Sequence, residues 1–346
     1  MASGYPLVCL ENPLLDIQGV GDDALLQKYG VKANDAILAE EKHMGLYDDL
    51  LHNHNAVLFA GGSVQNTARG AQYMLPENSV MYLGCVGNDK WGEMLKTNCE
   101  KEGVHTEYRI DEKEPTGRCG VIITGKNRSL ITHLAAANEY KLDHLQSPKV
   151  WDLVKKGKIY YVGGYHLTVC VPAILAIAEE ALKENKLFAF NFSAPFIPQF
   201  FKDPLSEVLP YCDIVLGNET EARAVSEAYG FGTTDVEEIA KKVVLLPKKN
   251  EKRSRIVFFT QGTDPTIAAW VENGEVKTSS TPIIQIDPEL ICDTNGAGDA
   301  FAGGLCAGLT QGKDIQECVN MGHWLANLSI RELGPSYPAT KQHYKA

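Results

Sequence analysis

No apolar run in this sequence is long enough to cross a membrane, and no two cysteines are spaced as zinc ligands. A membrane-spanning helix needs about 18 consecutive apolar residues, which no segment approaches. The nine cysteines include no Cys-x-x-Cys pair, and several lie within apolar runs, which is typical of buried, reduced thiols. We therefore expect no membrane partner and no zinc site.

Positive charge is also scarce. The chain has 33 Lys and Arg residues against 44 Asp and Glu residues, which gives a formal net charge of −11. Because nucleic acids and anionic membranes bind basic surfaces, this balance disfavours nucleic acid as a partner. Any site for a polyanion must then be local, made of backbone amides, a metal ion and a few cations.

The N-terminal residues lack the basic segment and apolar block of a secretory signal. Together with the reduced thiols, this predicts a cytoplasmic protein, and the sequence is compatible with a presence in the nucleus as well. No exposed apolar helix demands a partner, so we expect a monomer.

The order of apolar and amphipathic segments predicts the fold class. The chain has 346 residues, 44% of them hydrophobic, which suffices for one large α/β domain or two ordinary ones. Strand-like runs at 5–11, 80–87, 158–162, 187–192, 213–216 and 256–260 alternate with helical segments, the pattern of a parallel sheet covered by helices. After the first strand, Asn12-Pro13 is expected to start a polar connection that contains Asp16.

Residues 120–124 and 130–134 break this alternation. They are short β-rich pieces separated by Gly125–Arg128, and they predict an antiparallel hairpin. We expect one Rossmann-like α/β domain over residues 1–346, with a small β-rich lid built discontinuously from about 17–56 and 105–140.

The run Asp293–Gly304 carries the strongest chemical signal. Its two glycines, Gly296 and Gly298, allow positive φ and a close approach of a ligand to the backbone. The amides of Gly296, Ala297 and Gly298 would point outward from the start of a helix, where an anion such as phosphate binds. Asp299 would repel a phosphate, but it suits a base that takes a proton from an attacking hydroxyl.

The same residues have a purely structural explanation. An aspartate in the first turn of a helix is common because it interacts favourably with the helix dipole. Glycines before a helix are common in any tight turn from strand to helix, and short motifs match by chance.

Two further motifs also have two explanations each. Gly62, Ser63 and Asn66 predict a site where a small ligand approaches the backbone, or alternatively a simple helix cap. Asn218 and Glu221 follow a strand and open a helix, which predicts either magnesium placement through water or a capping box.

These motifs carry a family resemblance. Asp293–Gly304 resembles the C-terminal motif of the ribokinase-like (PfkB) family of carbohydrate and nucleoside kinases, and Ala60–Ala68 resembles its Gly-Gly-x-x-x-Asn substrate motif. Further segments resemble the branch of the family that phosphorylates adenosine: Asn12–Asp16, Asn34–Glu40, Asn127–Leu130, Leu134–Asn138, Phe192–Phe196 and Gly217–Glu221. The resemblance extends from about residue 8 to about residue 335.

The resemblance implies a ribokinase fold and an ATP-dependent transfer of phosphate to the 5′-hydroxyl of adenosine, with AMP and ADP as products. It implies Asp299 as the base, the amides of Gly296, Ala297 and Gly298 as the anion hole, and Arg128 as a lid residue that pairs with the transferred phosphoryl group. The implied nucleoside site consists of Asn12, Leu14, Asp16, Leu38, Gly62, Ser63, Asn66, Leu134, His166 and Phe196. The implied ATP site consists of Asn218, Thr260, Gly262, Asn295, Gly296, Gly298, His323 and Asn327, with Mg²⁺ placed by Asn218 and Glu221.

The sequence departs from the family pattern at two positions of the nucleoside site. His166 stands where animal members of this branch typically have Phe, and Ala36 stands where many have Gln. Two alternatives stay open: a ribokinase-type or inosine-guanosine-type kinase on the same scaffold, and a catalytically inactive ligand-binding relative. The retained Asp299, Gly296 and Gly298 argue against the inactive relative.

Overall fold

The computed structural model describes residues 4–33, 35–125 and 127–345. The strands are β1 (Leu7–Leu10), β2 (Leu14–Val20), β3 (Ala36–Leu38), β4 (Val57–Gly61), β5 (Val80–Gly87), β6 (His105–Asp111), β7 (Arg118–Thr124), β8 (Asn127–His133), β9 (Ile159–Gly163), β10 (Leu187–Asn191), β11 (Ile214–Asn218), β12 (Ile256–Gln261), β13 (Asp264–Glu272) and β14 (Glu275–Thr281). The α-helices are α1 (Asp23–Tyr29), α2 (Leu46–Asn53), α3 (Ser63–Met74), α4 (Lys90–Lys101), α5 (Leu142–Leu145), α6 (Pro148–Val154), α7 (Val171–Lys183), α8 (Phe196–Phe200), α9 (Lys202–Val208), α10 (Glu219–Tyr229), α11 (Val236–Val244), α12 (Ala297–Thr310) and α13 (Ile315–Ser329).

A large sheet forms the centre of the molecule. Within the described residues its nine strands follow the order β14-β13-β12-β11-β10-β9-β1-β5-β6. The strands from β12 to β6 are parallel, and the β12-β13-β14 end is antiparallel. The predicted α/β class with a mostly parallel sheet is therefore confirmed.

Both faces of this sheet are covered, as strand β1 illustrates. Leu7 and Cys9 belong to the apolar core that α3, α12 and α13 form on one face, whereas Val8 and Leu10 belong to the core that α6, α7 and α11 cover on the other. Successive side chains of a strand point to opposite faces, so an apolar run with no polar alternation is what a strand covered on both faces requires.

A second, smaller sheet has the order β3-β8-β7-β2-β4 among the described residues. The predicted hairpin is confirmed, since β7 and β8 pair antiparallel from Arg118 with His133 to Thr124 with Asn127. The expectation for Asp16 was wrong, because this residue lies within β2 and not in a polar connection. Leu15 and Ile17 enter the apolar core of the small sheet, and the intervening Asp16 points to the opposite, ligand-facing side.

The strands of the small sheet do not coincide with the ranges 17–56 and 105–140 that the sequence predicts for the β-rich lid. Residues 105–111 form β6, which pairs in parallel with β5 at the edge of the large sheet. Strand β4 and the first residues of β2 belong to the small sheet but lie outside those ranges. Sequence periodicity identifies strands, but it does not tell which sheet a strand joins, because that depends on contacts distant in the chain.

No helix in the described part of the chain is both long and apolar enough to span a membrane.

Candidate active site

A cavity of about 410 Å³ lies between the two sheets, at the carboxyl ends of the parallel strands. Residues directly after β1 and β9 line it, together with the start of α3 and the turn before α12. This is the edge at which α/β folds bind their ligands. The lining comprises Glu11, Asn12, Leu14, Asp16, Ala36, Ile37, Leu38, Gly62, Ser63, Asn66, Cys119, Arg128, Leu130, Thr132, Leu134, Tyr165, Thr168, Ser193, Phe196, Thr294, Asn295, Gly296, Ala297, Gly298 and Asp299.

The turn before α12 has the geometry of an anion-binding loop. Gly296 caps the helix with φ of 78°, a left-handed conformation that favours glycine. A Cβ placed on Gly298 would meet no atom within 4 Å, so protein packing does not require glycine there and the space belongs to the cavity. The amide of Ala297 donates to the carbonyl of Thr294 over 3.3 Å. In the described residues, the amides of Gly296 and Gly298 have no such acceptor.

Asp299 lies in the first turn of α12, and two side chains of α3 hold it. Its carboxylate accepts hydrogen bonds from Ser63 Oγ at 2.8 Å and from Asn66 Nδ2 at 3.0 Å. Neither side chain caps its own helix, so the capping alternative for these two residues does not apply. Burial raises the pKa of Asp299 to about 6, while its two hydrogen bonds oppose this rise. The carboxylate is thus mostly ionised at neutral pH and able to accept a proton.

Asp16 is a second carboxylate on the wall of the same cavity. It is 6% exposed, and within the described residues no hydrogen bond donor contacts it. Burial, with a smaller contribution from the charge of Asp299, raises the pKa of Asp16 to about 7. A buried carboxylate without partners is costly, so this group is placed to accept hydrogen bonds from a ligand.

The apolar end of the cavity comes from both sheets. Leu14, Leu38, Leu134 and Phe196 line it, as the resemblance implies. The ring of Tyr165 packs against that of Phe196 with a centroid distance of 5.9 Å. A slot of this kind suits a flat, weakly polar group.

His166 does not line this cavity. It is fully buried, its Nδ1 lies 3.3 Å from Asn12 Oδ1, and burial lowers its pKa to about 3. Successive side chains of the 3₁₀ turn Gly164–Thr168 point in different directions, so its neighbour Tyr165 reaches the cavity instead. In the structure His166 therefore contacts Asn12, which lines the cavity, and does not line the cavity itself.

A smaller cavity of about 160 Å³ adjoins the first at Asp299. Asn218, Glu221 and Thr260 line it together with Gly298. Asn218 and Glu221 form a reciprocal capping box at the start of α10, so the structural explanation for this pair holds. Burial raises the pKa of Glu221 to about 7, and the nearby charges of Glu219 and Asp299 add to the rise.

Three residues implied for ATP lie away from both cavities. His323 is hydrogen-bonded to Thr266 Oγ1 at 2.8 Å, and Asn327 accepts a hydrogen bond from Arg331 at 2.7 Å. Gly262, with φ of 58°, lies in the exposed turn between β12 and β13. Asn295, by contrast, lines the main cavity.

Arg128 connects the small sheet to the anion-binding loop. Its Nε donates to Asp293 Oδ1 over 3.1 Å, and that oxygen also accepts the amide of Asn295 at 2.9 Å. The other oxygen of Asp293 accepts Gln18 Nε2 at 2.9 Å and the amide of Gly334 at 3.1 Å. Asp293 is 1% exposed, so this buried carboxylate links strands β2 and β8 of the small sheet to the loop before α12.

Sequence reasoning did not identify several of the residues that line the cavity. Glu11 follows β1 directly, and Ser193 adopts a positive φ of 66°, rare for a residue with a side chain. Neither position has a local signal that would single it out. The Gly163-Gly164 pair beside Tyr165 was the available hint of a close approach to the backbone.

Comparison with known proteins identifies the relatives of this chain. The family description "pfkB family carbohydrate kinase" matches residues 23–342. Adenosine kinase of Schizosaccharomyces pombe is 47% identical over 344 residues, covering 99% of both chains, and adenosine kinase 2 of Arabidopsis thaliana is 47% identical over 96% of this chain and 95% of its own.

Solved structures agree with these sequence relatives. Anopheles gambiae adenosine kinase, in complex with P1,P4-di(adenosine-5) tetraphosphate, superposes with a TM-score of 0.92 at 41% identity over 97% of this chain and 99% of its own. Schistosoma mansoni adenosine kinase, in complex with adenosine and AMP, superposes with a TM-score of 0.90 at 34% identity over 98% and 99%. The chain belongs to the pfkB family of carbohydrate kinases and, within that family, to the adenosine kinases.

Proposed function

We propose that this protein transfers the γ-phosphoryl group of ATP to the 5′-hydroxyl of adenosine, with AMP and ADP as products. One observation carries this proposal: Asp299 is held by Ser63 and Asn66 beside the glycine turn of α12. Asp16 lies across the same cavity. A base, an anion hole and an acceptor for hydroxyls therefore share one enclosed space.

The polar and apolar parts of the cavity lining suggest one orientation for adenosine. Asp16 accepts hydrogen bonds from two adjacent ribose hydroxyls, for which an ionised carboxylate is well suited. Asn12, whose buried Nδ2 has no partner in the described part of the chain, lies nearby to donate one more. The purine occupies the slot formed by Leu14, Leu38 and Phe196, and the 5′-hydroxyl then faces Asp299.

The reaction follows from this arrangement. Asp299 accepts the proton of the 5′-hydroxyl while its oxygen attacks the γ-phosphorus. A bond forms between the 5′-oxygen and phosphorus, and the bond from phosphorus to the bridging oxygen of ADP breaks. The amides of Gly296 and Gly298 donate to the phosphoryl oxygens, whose negative charge is spread in the transition state.

A magnesium ion fits beside Glu221 and Asn218. Within the described residues there is no group of three or more His, Cys, Asp or Glu side chains placed to hold a metal. Mg²⁺ usually keeps several waters and takes only one or two carboxylates besides phosphate oxygens, so this sparse donor set suits it. When bound with ATP, the ion neutralises phosphate charge; Glu221 would hold it through water at the smaller cavity.

Arg128 is expected to contribute to turnover both by charge and by shape. Arg128→Lys keeps the charge but loses the planar fork that reaches Asp293, so both Arg128→Lys and Arg128→Ala should lower kcat by at least about tenfold. Steady-state kinetics with adenosine and ATP measure this effect. Arg109→Ala is the control, because Arg109 pairs with Asp111 on β6 and lies outside the cavity. A fully active Arg128→Lys would contradict the role of the guanidinium shape.

The value of kcat/KM for adenosine is expected to fall as pH decreases through about 7 and about 6. Burial raises the pKa values of Asp16 and Asp299 to about 7 and about 6, and each group must be deprotonated to do its work. Below both values the logarithm of kcat/KM should fall with a slope of about two, because two protons are taken up. In Asp16→Asn the slope should decrease to about one. A wild-type slope of one would show that only one carboxyl must be ionised.

The proposed function is tested with a panel of acceptors in a coupled assay for ADP. Adenosine should be the preferred acceptor, ahead of inosine, guanosine and free ribose. The apolar slot offers no partner to the ring carbonyl that inosine and guanosine carry, and free ribose has no base to fill it. Preference for ribose or inosine would support the other kinase types. No ADP release with any acceptor would support an inactive binding protein.

A further inference from the structure

Glu11 is a buried carboxyl group to which the proposed chemistry assigns nothing. It follows β1, is 1% exposed and lines the main cavity. Its Oε2 accepts a hydrogen bond of 3.1 Å from the amide of Val64. Among the described residues its Oε1 makes no hydrogen bond of good geometry, and the Tyr165 amide and Ser193 hydroxyl lie near enough to act on the carboxyl group only weakly.

Val64 is the second residue of α3, where the helix needs an acceptor from outside. The first four amides of a helix have no partner within it. The residue that precedes α3 is Gly62, which has no side chain and makes no cap. Glu11, 53 positions away in sequence, supplies the acceptor that a Ser or Asp cap normally provides.

Two residues of the same helical turn as Val64 hold Asp299. Ser63 directly precedes Val64 and Asn66 follows two positions later, and both donate to the carboxylate of Asp299. The position of the first turn of α3 therefore determines where Asp299 points. Glu11 holds this turn because its carboxyl group accepts the backbone amide of Val64.

The surroundings leave room for Glu11. A Cβ placed on Gly163 would lie 1.7 Å from Glu11 Oε1. Gly163 has φ of −90°, which any residue adopts, so its conformation does not demand glycine. The absence of a side chain at Gly163 is explained by the space that the Glu11 carboxyl group occupies.

From these contacts we infer that Glu11 is a positioning residue, which holds the first turn of α3 so that Ser63 and Asn66 place Asp299 for catalysis. This inference rests on the proposed function. It assigns Glu11 no contact with the reacting atoms. The length of its side chain, more than its charge, is what the role requires.

The charge state of Glu11 agrees with this role. Burial raises the pKa of Glu11 to about 8, and the neighbouring charge of Asp299 adds to the rise. Two buried carboxyls this close resist being ionised together. Asp299 has two donors and keeps its charge, so Glu11 carries the proton at neutral pH, and glutamine matches that form in shape.

Two variants of Glu11 separate the effect of its side-chain length from that of its acidity. Glu11→Gln keeps the length and an oxygen acceptor, whereas Glu11→Asp keeps the acid and shortens the reach to Val64. Glu11→Gln should keep kcat for adenosine within about threefold of wild type. Glu11→Asp should lower kcat roughly 10- to 100-fold, the loss expected when a catalytic group is displaced by about 1 Å. The KM for adenosine should change less than about threefold in both.

A double-mutant cycle tests whether Glu11 influences kcat through Ser63 and Asn66. Glu11→Asp should cost little further activity in a Ser63→Ala/Asn66→Ala background, because the donors through which it acts are gone. Equal losses in both backgrounds, a fully active Glu11→Asp, or a Glu11→Gln as impaired as Glu11→Asp would each overturn the inference. Wild-type turnover of adenosine is measured first, since its absence would refute the proposed function and not the role of Glu11.

Discussion

Asp299→Asn is expected to lower kcat for adenosine by at least about 100-fold, the usual contribution of a positioned base. The asparagine amide has nearly the same shape but does not accept the proton of the 5′-hydroxyl. One of the two donors, Ser63 Oγ or Asn66 Nδ2, would also face an amide donor in place of a carboxylate oxygen. Steady-state and single-turnover kinetics measure the loss in the chemical step.

Binding and folding should survive this substitution. The KM for adenosine should stay within a few-fold, because Asp299 acts in the transition state and not in holding the ribose. Thermal unfolding should shift only slightly, since the change removes a carboxylate that burial disfavours but also loses one of its two hydrogen bonds. Asp203→Asn, on an exposed residue of α9, is the matched control. A nearly normal kcat in Asp299→Asn would remove Asp299 from the base role.

Asp16→Ala is expected to weaken adenosine binding roughly 10- to 100-fold, which corresponds to the loss of hydrogen bonds to a charged acceptor. Asp16 has no donor among the described residues, so the ligand is its natural partner. The KM for ATP should change less than about threefold, because the phosphates lie at the glycine turn. Equilibrium binding of both substrates measures the difference.

Deoxynucleosides sharpen this test. Removing the 2′- or 3′-hydroxyl of adenosine should weaken binding to wild type, yet have little effect on Asp16→Ala, because the acceptor is already missing. Asp48→Ala, at an exposed acidic residue on helix α2, which packs against β2, controls for the loss of negative charge. If Asp16→Ala weakened ATP and adenosine equally, the ribose assignment would be wrong.

Local patterns predicted much of the fold and part of the site. The central strands, the helices between them and the β7-β8 hairpin follow from periodicity and turn residues, which act over a few neighbours in the chain. Gly296, Gly298 and Asp299 lie within four consecutive positions at the start of α12, so a short motif is enough to identify them.

Strand β2 shows where local patterns mislead. Its polar residues Asp16 and Gln18 suggest a solvent-exposed connection, because polar residues in a short segment usually face water. In the structure they face a cavity and Asp293, while Leu15 and Ile17 between them enter the core. Only the neighbouring strands β4 and β7, from distant parts of the chain, make this a strand.

The amino-acid sequence by itself determined the α/β class, the family and the glycine turn that is followed by Asp299, because the strands, helices and motifs behind them are each made of residues near one another in the chain. The tertiary structure decided which side chains meet: Ser63 and Asn66 with Asp299 across more than 230 positions, Arg128 with Asp293 across 165, and Glu11 with Val64 across 53. It also turned His166 away from the cavity and Tyr165 into it. Such pairings depend on how strands and helices pack, and packing is a property of the whole fold that no local segment contains.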